Sequence, residues 1–146
     1  MNLPEYITRD EVKRVCGELG LQDWTERGDA AVEAEEARVV LDLVNTEGMD
    51  IDLEAFRAGL EVELEHGTRF QDANVTNNHP VLTGLIVLAH LKESLDYYHL
   101  LEVAELEGDL LKALARGDAA KAKAYYTRLA KARIALRQAE LSRLGG

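Results

Sequence analysis

Apolar residues recur along this chain at three- and four-residue spacing, which is the period of a helix face rather than of a strand. Val12, Val15, Cys16 and Leu19 make the first stripe. It is opened by Thr8-Arg9-Asp10-Glu11, a capping box in which Thr8 accepts from the third amide and Glu11 reaches back, and Gly20 ends it. A polar link containing Trp24 and Gly28 follows. Val32, Val39, Val40, Leu43 and Val44 predict a second helix over about 29–46, with Glu33, Glu35, Glu36 and Arg38 largely outside. Asp52 caps a third helix over about 53–66, buried along Leu53, Phe56, Leu60 and Leu64 and closed by Gly67. Asn77-Asn78-His79-Pro80 then starts a long element whose apolar residues, from Val81 to Leu106, run nearly all round. That element either continues to Leu114 or breaks near Gly108. Arg116-Gly117-Asp118 turns the chain into a last helix, which packs through Tyr125, Tyr126, Leu129, Ala132, Leu136 and Leu144. The expected fold is all-α, a compact four- to five-helix bundle forming a single helical domain over residues 1–146.

Composition supports this picture and narrows the classes of function. The chain has 146 residues, 47% of them hydrophobic and only two of them proline, which suits a folded helical protein with a real core. One cysteine, Cys16, leaves no internal disulfide framework and fits a reducing compartment; placed on an apolar stripe, it reads as core. No run of apolar residues approaches the roughly 20 needed to span a bilayer, and no signal segment opens the chain, so the expected location is cytoplasmic, with no membrane partner. The net charge of −10 argues against a general nucleic-acid binder. The charge is uneven: residues 112–146 hold nine Lys or Arg against two acids, and the rest holds 8 basic and 25 acidic residues. A basic C-terminal helix over about 118–144 can therefore bind an anionic partner, lie along its own acidic body, or be simply a solvated face; a protein partner or self-association is the expected kind of partner.

Two short stretches carry candidate chemistry. Glu63 and His66 are three residues apart, as are His90 and Glu93, so each pair shares one helix face. Turned toward one another, the faces would offer two imidazoles and two carboxylates, a ligand set for one divalent metal ion, Zn²⁺, Fe²⁺ or Mn²⁺. Tyr97, one turn past Glu93, stands as a supporting group behind the ligands. Glu61 and Glu65 point away. Gly59, one turn before Glu63, is placed to admit a neighbouring backbone or a ligand. The one Glu-x-x-His is matched by a reversed His-x-x-Glu, and no bridging Glu is evident, which favours one metal over a di-iron centre. The same five residues also suit a buried hydrogen-bonded network with no metal, fixing helix register. Asp50-Ile51-Asp52 resembles a calcium loop only in part, since no frame supplies the central Gly and the Glu at position twelve. No zincin, phosphate-loop or nucleophile-elbow motif is present, so no catalytic residue is assigned.

The segments around Val62-Glu63-Leu64-Glu65-His66-Gly67, Val75-Thr76-Asn77, Ala89-His90-Leu91-Lys92-Glu93 and Asp96-Tyr97-Tyr98 resemble a family of small bacterial and phage proteins of unknown function. The likeness spans about residues 53–107, with the motifs in matching order and spacing. It implies no activity, and it centres the signature on His66, Glu93 and their neighbours. The acidic stretch over 29–47 and the basic last helix depart from the pattern. The alternative to metal binding is a non-catalytic protein-interaction module that uses the basic last helix or the acidic second helix as its surface.

Overall fold

The structure is a computed structural model that describes residues 4–145. They form six α-helices: α1 (Arg9–Leu19), α2 (Ala34–Val44), α3 (Leu53–Arg69), α4 (Pro80–Glu93), α5 (Tyr97–Ala115) and α6 (Ala119–Arg143), with a 3-10 turn (Gln71–Ala73) after α3 and no strand among the described residues. The all-α class agrees with the sequence. The helix count exceeds the expected four or five, because the long central element is two helices. The chain divides into two compact units, residues 1–92 and 93–146.

The first unit is started by local caps. Thr8 Oγ1 accepts from the Glu11 amide at 3.1 Å, and Asp52 Oδ2 accepts from the Ala55 amide at 2.9 Å. The Glu11 carboxylate does not return to the cap but holds Arg14, at 2.6 and 2.8 Å. Trp24, expected in a polar link, is fully buried with Val12, Val40, Phe56, Leu60 and Val87. Cys16 is buried as expected, and burial pushes its thiol pKa up. Gly84 lets α4 approach α2 closely: a Cβ there would lie 2.5 Å from Val40 Cγ1 and 3.3 Å from Val44 Cγ1.

Several sequence expectations need correction here. The second helix starts at Ala34 rather than near Asp29. Val32 lies ahead of it, is buried, and donates its amide to Glu61 Oε1 at 3.1 Å, so Glu61 is half-buried rather than solvent-facing. Val39 and Leu43 face outward, at 36% and 45% exposed, whereas Glu36 is buried. α3 does not stop at Gly67 but runs to Arg69. Gly67 is instead a contact glycine, where a Cβ would fall 2.2 Å from Asn78 Oδ1. The start at Pro80 is as expected. Asn77 and Asn78 take positive φ, 48° and 61°, and His79 Nδ1 accepts from the Leu82 amide at 3.4 Å.

The second unit is a helical hairpin. Leu106, Leu129 and Ala132 close its seam, with Val103, Leu110 and Tyr125 packed against them. Asp118 caps α6 through the Lys121 amide at 3.0 Å, just after Gly117 at φ 69°. The break ahead of α5 falls at residues 94–96 rather than near Gly108. There the Asp96 amide donates to Ser94 Oγ at 3.2 Å, and the Tyr97 amide to the Ser94 carbonyl at 3.0 Å, a turn that competes with helix. The Asp96 carboxylate grips Arg143 in two-pronged fashion at 2.6 and 2.9 Å, tying the end of α6 to the start of α5. This bond, with burial opposing it, lowers the Asp96 pKa. Tyr126 and Leu144, expected to pack, are 60% and 83% exposed.

Candidate functional site

Glu63 and His66 lie one turn apart on α3, and α4 supplies His90. Glu63 presents one carboxylate oxygen to each imidazole: Oε2 is 3.7 Å from His66 Nδ1, and Oε1 is 3.7 Å from His90 Nε2. The side chain of Glu63 is 16% exposed, that of His90 31% and that of His66 50%. The cluster therefore sits at the rim of the first unit, with its carboxylate sheltered and its histidines in reach of water.

The remaining members of the expected set are Glu93 and Tyr97. Glu93 is exposed, ends α4, and belongs to the second unit. Tyr97 opens α5 beyond the break, so it does not continue the His90–Glu93 face along one helix; its ring meets Tyr98 edge-to-face at 5.2 Å. Among the described residues, no group of three or more His, Cys, Asp or Glu is closed tightly enough to hold a metal ion. Each imidazole is nonetheless near the spacing of two ligand atoms on one ion, measured to its own oxygen of Glu63. A separation of 3.7 Å exceeds a hydrogen bond. Two ligand atoms bound tetrahedrally to one ion at ~2.1 Å stand about 3.4 Å apart.

A second polar centre was not expected from the sequence. Glu36, only 7% exposed, accepts from the Gln22 amide at 2.8 Å and the Trp24 indole at 3.3 Å, and pairs with Arg27. Arg27 also lies over the Trp24 ring, 5.1 Å from its centroid, and its Nε is buried without a hydrogen-bond partner. Burial raises the Glu36 pKa, but the Gln22, Arg27 and Trp24 bonds outweigh it and leave the carboxyl below its ordinary value. Asn78 joins the same region by donating to the Trp24 carbonyl at 3.4 Å. The available signal was the four-residue spacing of Glu36, Val40 and Val44, which sets Glu36 on the buried stripe of α2. A polar recess of about 470 Å³ opens beside this centre, lined by Asp23, Glu26, Arg27, Asp29 and Glu33 among others.

A family described as protein of unknown function (DUF5661) matches residues 12–107. That span is wider than the motif-bearing stretch over about 53–107 and includes the Trp24–Glu36 centre together with Glu63, His66 and His90. No curated protein and no solved structure matches the chain. No helix among the described residues is long and apolar enough to cross a membrane.

Proposed function

The chain belongs to DUF5661, a family of unknown function, and we propose that it is a small helical metal-binding protein in which Glu63, His66 and His90 hold one divalent cation, Zn²⁺, Fe²⁺ or Mn²⁺. The observation that supports this reading is the placement of Glu63, with one carboxylate oxygen toward each of two imidazole nitrogens at 3.7 Å. Two neutral imidazoles and one carboxylate are the donors such cations prefer. The ligands are not closed into a cage, so the ion has to draw them in. Half-exposed His66 can turn at little packing cost, and the sheltered carboxylate supplies the charge. The test is calorimetric titration of chelator-treated protein with Zn²⁺, Mn²⁺ and, under anaerobic conditions, Fe²⁺. One ion per chain is expected, with affinity falling at least tenfold in Glu63→Gln and in His90→Ala. Absence of uptake by the wild type, or equal uptake by Glu63→Gln, would refute it.

A second reading has its own support. α6 carries seven basic residues against Glu140 alone, a surface suited to a non-catalytic interaction module, with the Glu63–His66–His90 cluster serving only as a structural network. It predicts an association that weakens with salt and is unaffected by His90→Ala.

A further inference from the structure

Several parts of the first unit are tied together by one short stretch, residues 74–79, between the 3-10 turn and α4. Asn74 donates through its side-chain amide to the Gly67 carbonyl in the last turn of α3, at 3.2 Å, and to Asn78 Oδ1 at 2.9 Å. Asn77 donates to the Ile7 carbonyl and to Glu5 Oε1, both at 2.6 Å, which fastens the approach to α1. Asn78 donates to the Trp24 carbonyl at 3.4 Å, and Gly67, lacking a Cβ, leaves room for its Oδ1. These side-chain bonds hold an unfavourable backbone. Asn77 and Asn78 sit side by side at positive φ, a region that favours glycine and that Asn tolerates only as single residues.

His79 closes the stretch. It is buried, stands immediately before Pro80, and caps α4: its carbonyl accepts from the Thr83 amide at 2.9 Å, and its ring Nδ1 accepts from the Leu82 amide at 3.4 Å. A neutral imidazole can accept there. An imidazolium carries a hydrogen on both nitrogens and cannot. Protonation would also bury a positive charge at a helix N-terminus, where the dipole opposes it. The charges acting on the ring come from α1: Glu11 and Arg14, which are bonded to one another and act in opposite senses. Glu5, ahead of α1, is held two residues away by Asn77. Burial keeps the ring's pKa below its ordinary 6.5, with Glu11 and the residue's own backbone opposing and Arg14 assisting.

We propose that residues 74–79 form an acid-released latch: protonation of His79 removes the cap of α4 and frees the stretch from the approach to α1 and from the Trp24 loop, while α2 and α3 stay folded. The accepting nitrogen is the one that gains the proton, so the cap bond and the charge cannot coexist. The ring is out of water, so the charge is not solvated in place. Once the cap is gone, the two left-handed asparagines favour release. The latch is independent of both functional readings above. It acts before the carboxylates Glu36 and Asp96, whose pKa values lie below 4.5 and 3.8.

The test is hydrogen exchange read by mass spectrometry on the chelator-treated full chain, from about pH 8 to about pH 5, with rates corrected for intrinsic exchange. Protection over residues 74–83 is expected to fall as pH drops below 6.5, approaching about tenfold per pH unit, the slope of a single proton. Peptides of α2 and α3 should keep theirs. The His79→Asn variant, whose side chain caps without titrating, should keep its protection over the same range. Heteronuclear NMR of the wild-type histidine ring gives a check that needs no variant: Nε2 should carry the hydrogen at neutral pH, and the ring should titrate below 6.5 in step with the loss. Protection unchanged across the range, loss that spreads equally through α2 and α3, loss that persists in His79→Asn, or a ring titrating at or above 6.5 would each overturn the proposal.

Discussion

Replacing Glu36 by Gln should cost far more stability than any other single charge removal in the first unit. The carboxylate and the Arg27 guanidinium are 9% and 7% exposed, so their attraction is little screened by water. Removing one member of a buried pair leaves the other uncompensated, which typically costs about 3–5 kcal/mol, against about 0–1 kcal/mol for a surface pair. Arg27 has poor alternatives: its Nε already lacks a partner, and its other contact is the Trp24 ring. The Gln22 amide and the Trp24 indole both donate to Oε1, an acceptor that Gln retains, so the loss falls on Arg27, which is held by the other oxygen. Against a total stability of about 5–15 kcal/mol, the variant should lose a fifth or more, and its melting temperature should fall by roughly 10 °C. The assay is urea unfolding followed by the fluorescence of Trp24, the single tryptophan, with circular dichroism as an independent probe. The double replacement Arg27→Met/Glu36→Gln should recover most of that loss, since it removes the unpaired guanidinium while the glutamine keeps an acceptor for the Gln22 amide and the Trp24 indole. A Glu36→Gln loss below about 1 kcal/mol, or a double variant no better than the single one, would refute the reasoning.

Gly84→Ala should destabilise by about 1–3 kcal/mol, because the added methyl collides with Val40 on α2. Gly17→Ala, inside α1 with nothing within 4 Å of the new Cβ, should instead stabilise by about 0.5–1 kcal/mol; chemical denaturation reads both. Acid should destabilise the protein in two stages. Burial lowers the His79 pKa, with Glu11 opposing, so its contribution is complete above the ordinary value of 6.5 and is lost as pH falls from there through the folded value. Glu36 and Asp96, both lowered, contribute fully above their ordinary values of 4.5 and 3.8 and lose that contribution as pH falls through the folded ones. Removing the first stage with His79→Gln, while the second persists, is the check by thermal melts across pH. Cys16, buried and with its thiol pKa raised, should react with a thiol reagent only at the rate of local or global opening.

The parts of the fold that were legible in the sequence are those decided within one turn of chain. Thr8, Asp52, Asn77 to Pro80 and Asp118 start helices as read, because a cap needs only its own next few amides. What escaped depends on residues far along the chain. Glu36 looked solvated until Gln22, Trp24 and Arg27 folded over it, and the helix break at 94–96 is held by Arg143, 47 residues from Asp96. The candidate site divides along the same line. Three-residue spacing was enough to put Glu63 and His66 on one face of α3, and His90 with Glu93 on α4. It could not say that His90 would face the other oxygen of Glu63, which depends on how the first unit packs, nor that Tyr97 would fall beyond a break. This division bears on the metal reading. The Glu63–His66 pair is a local property of α3 and persists whenever that helix forms, whereas His90 is contributed by tertiary packing. A cation held by all three must therefore bind the folded unit more tightly than the unfolded chain and raise its melting temperature. One held only by Glu63 and His66 would bind an isolated α3 peptide to the extent that the peptide is helical, and His90→Ala would leave the rise in melting temperature unchanged.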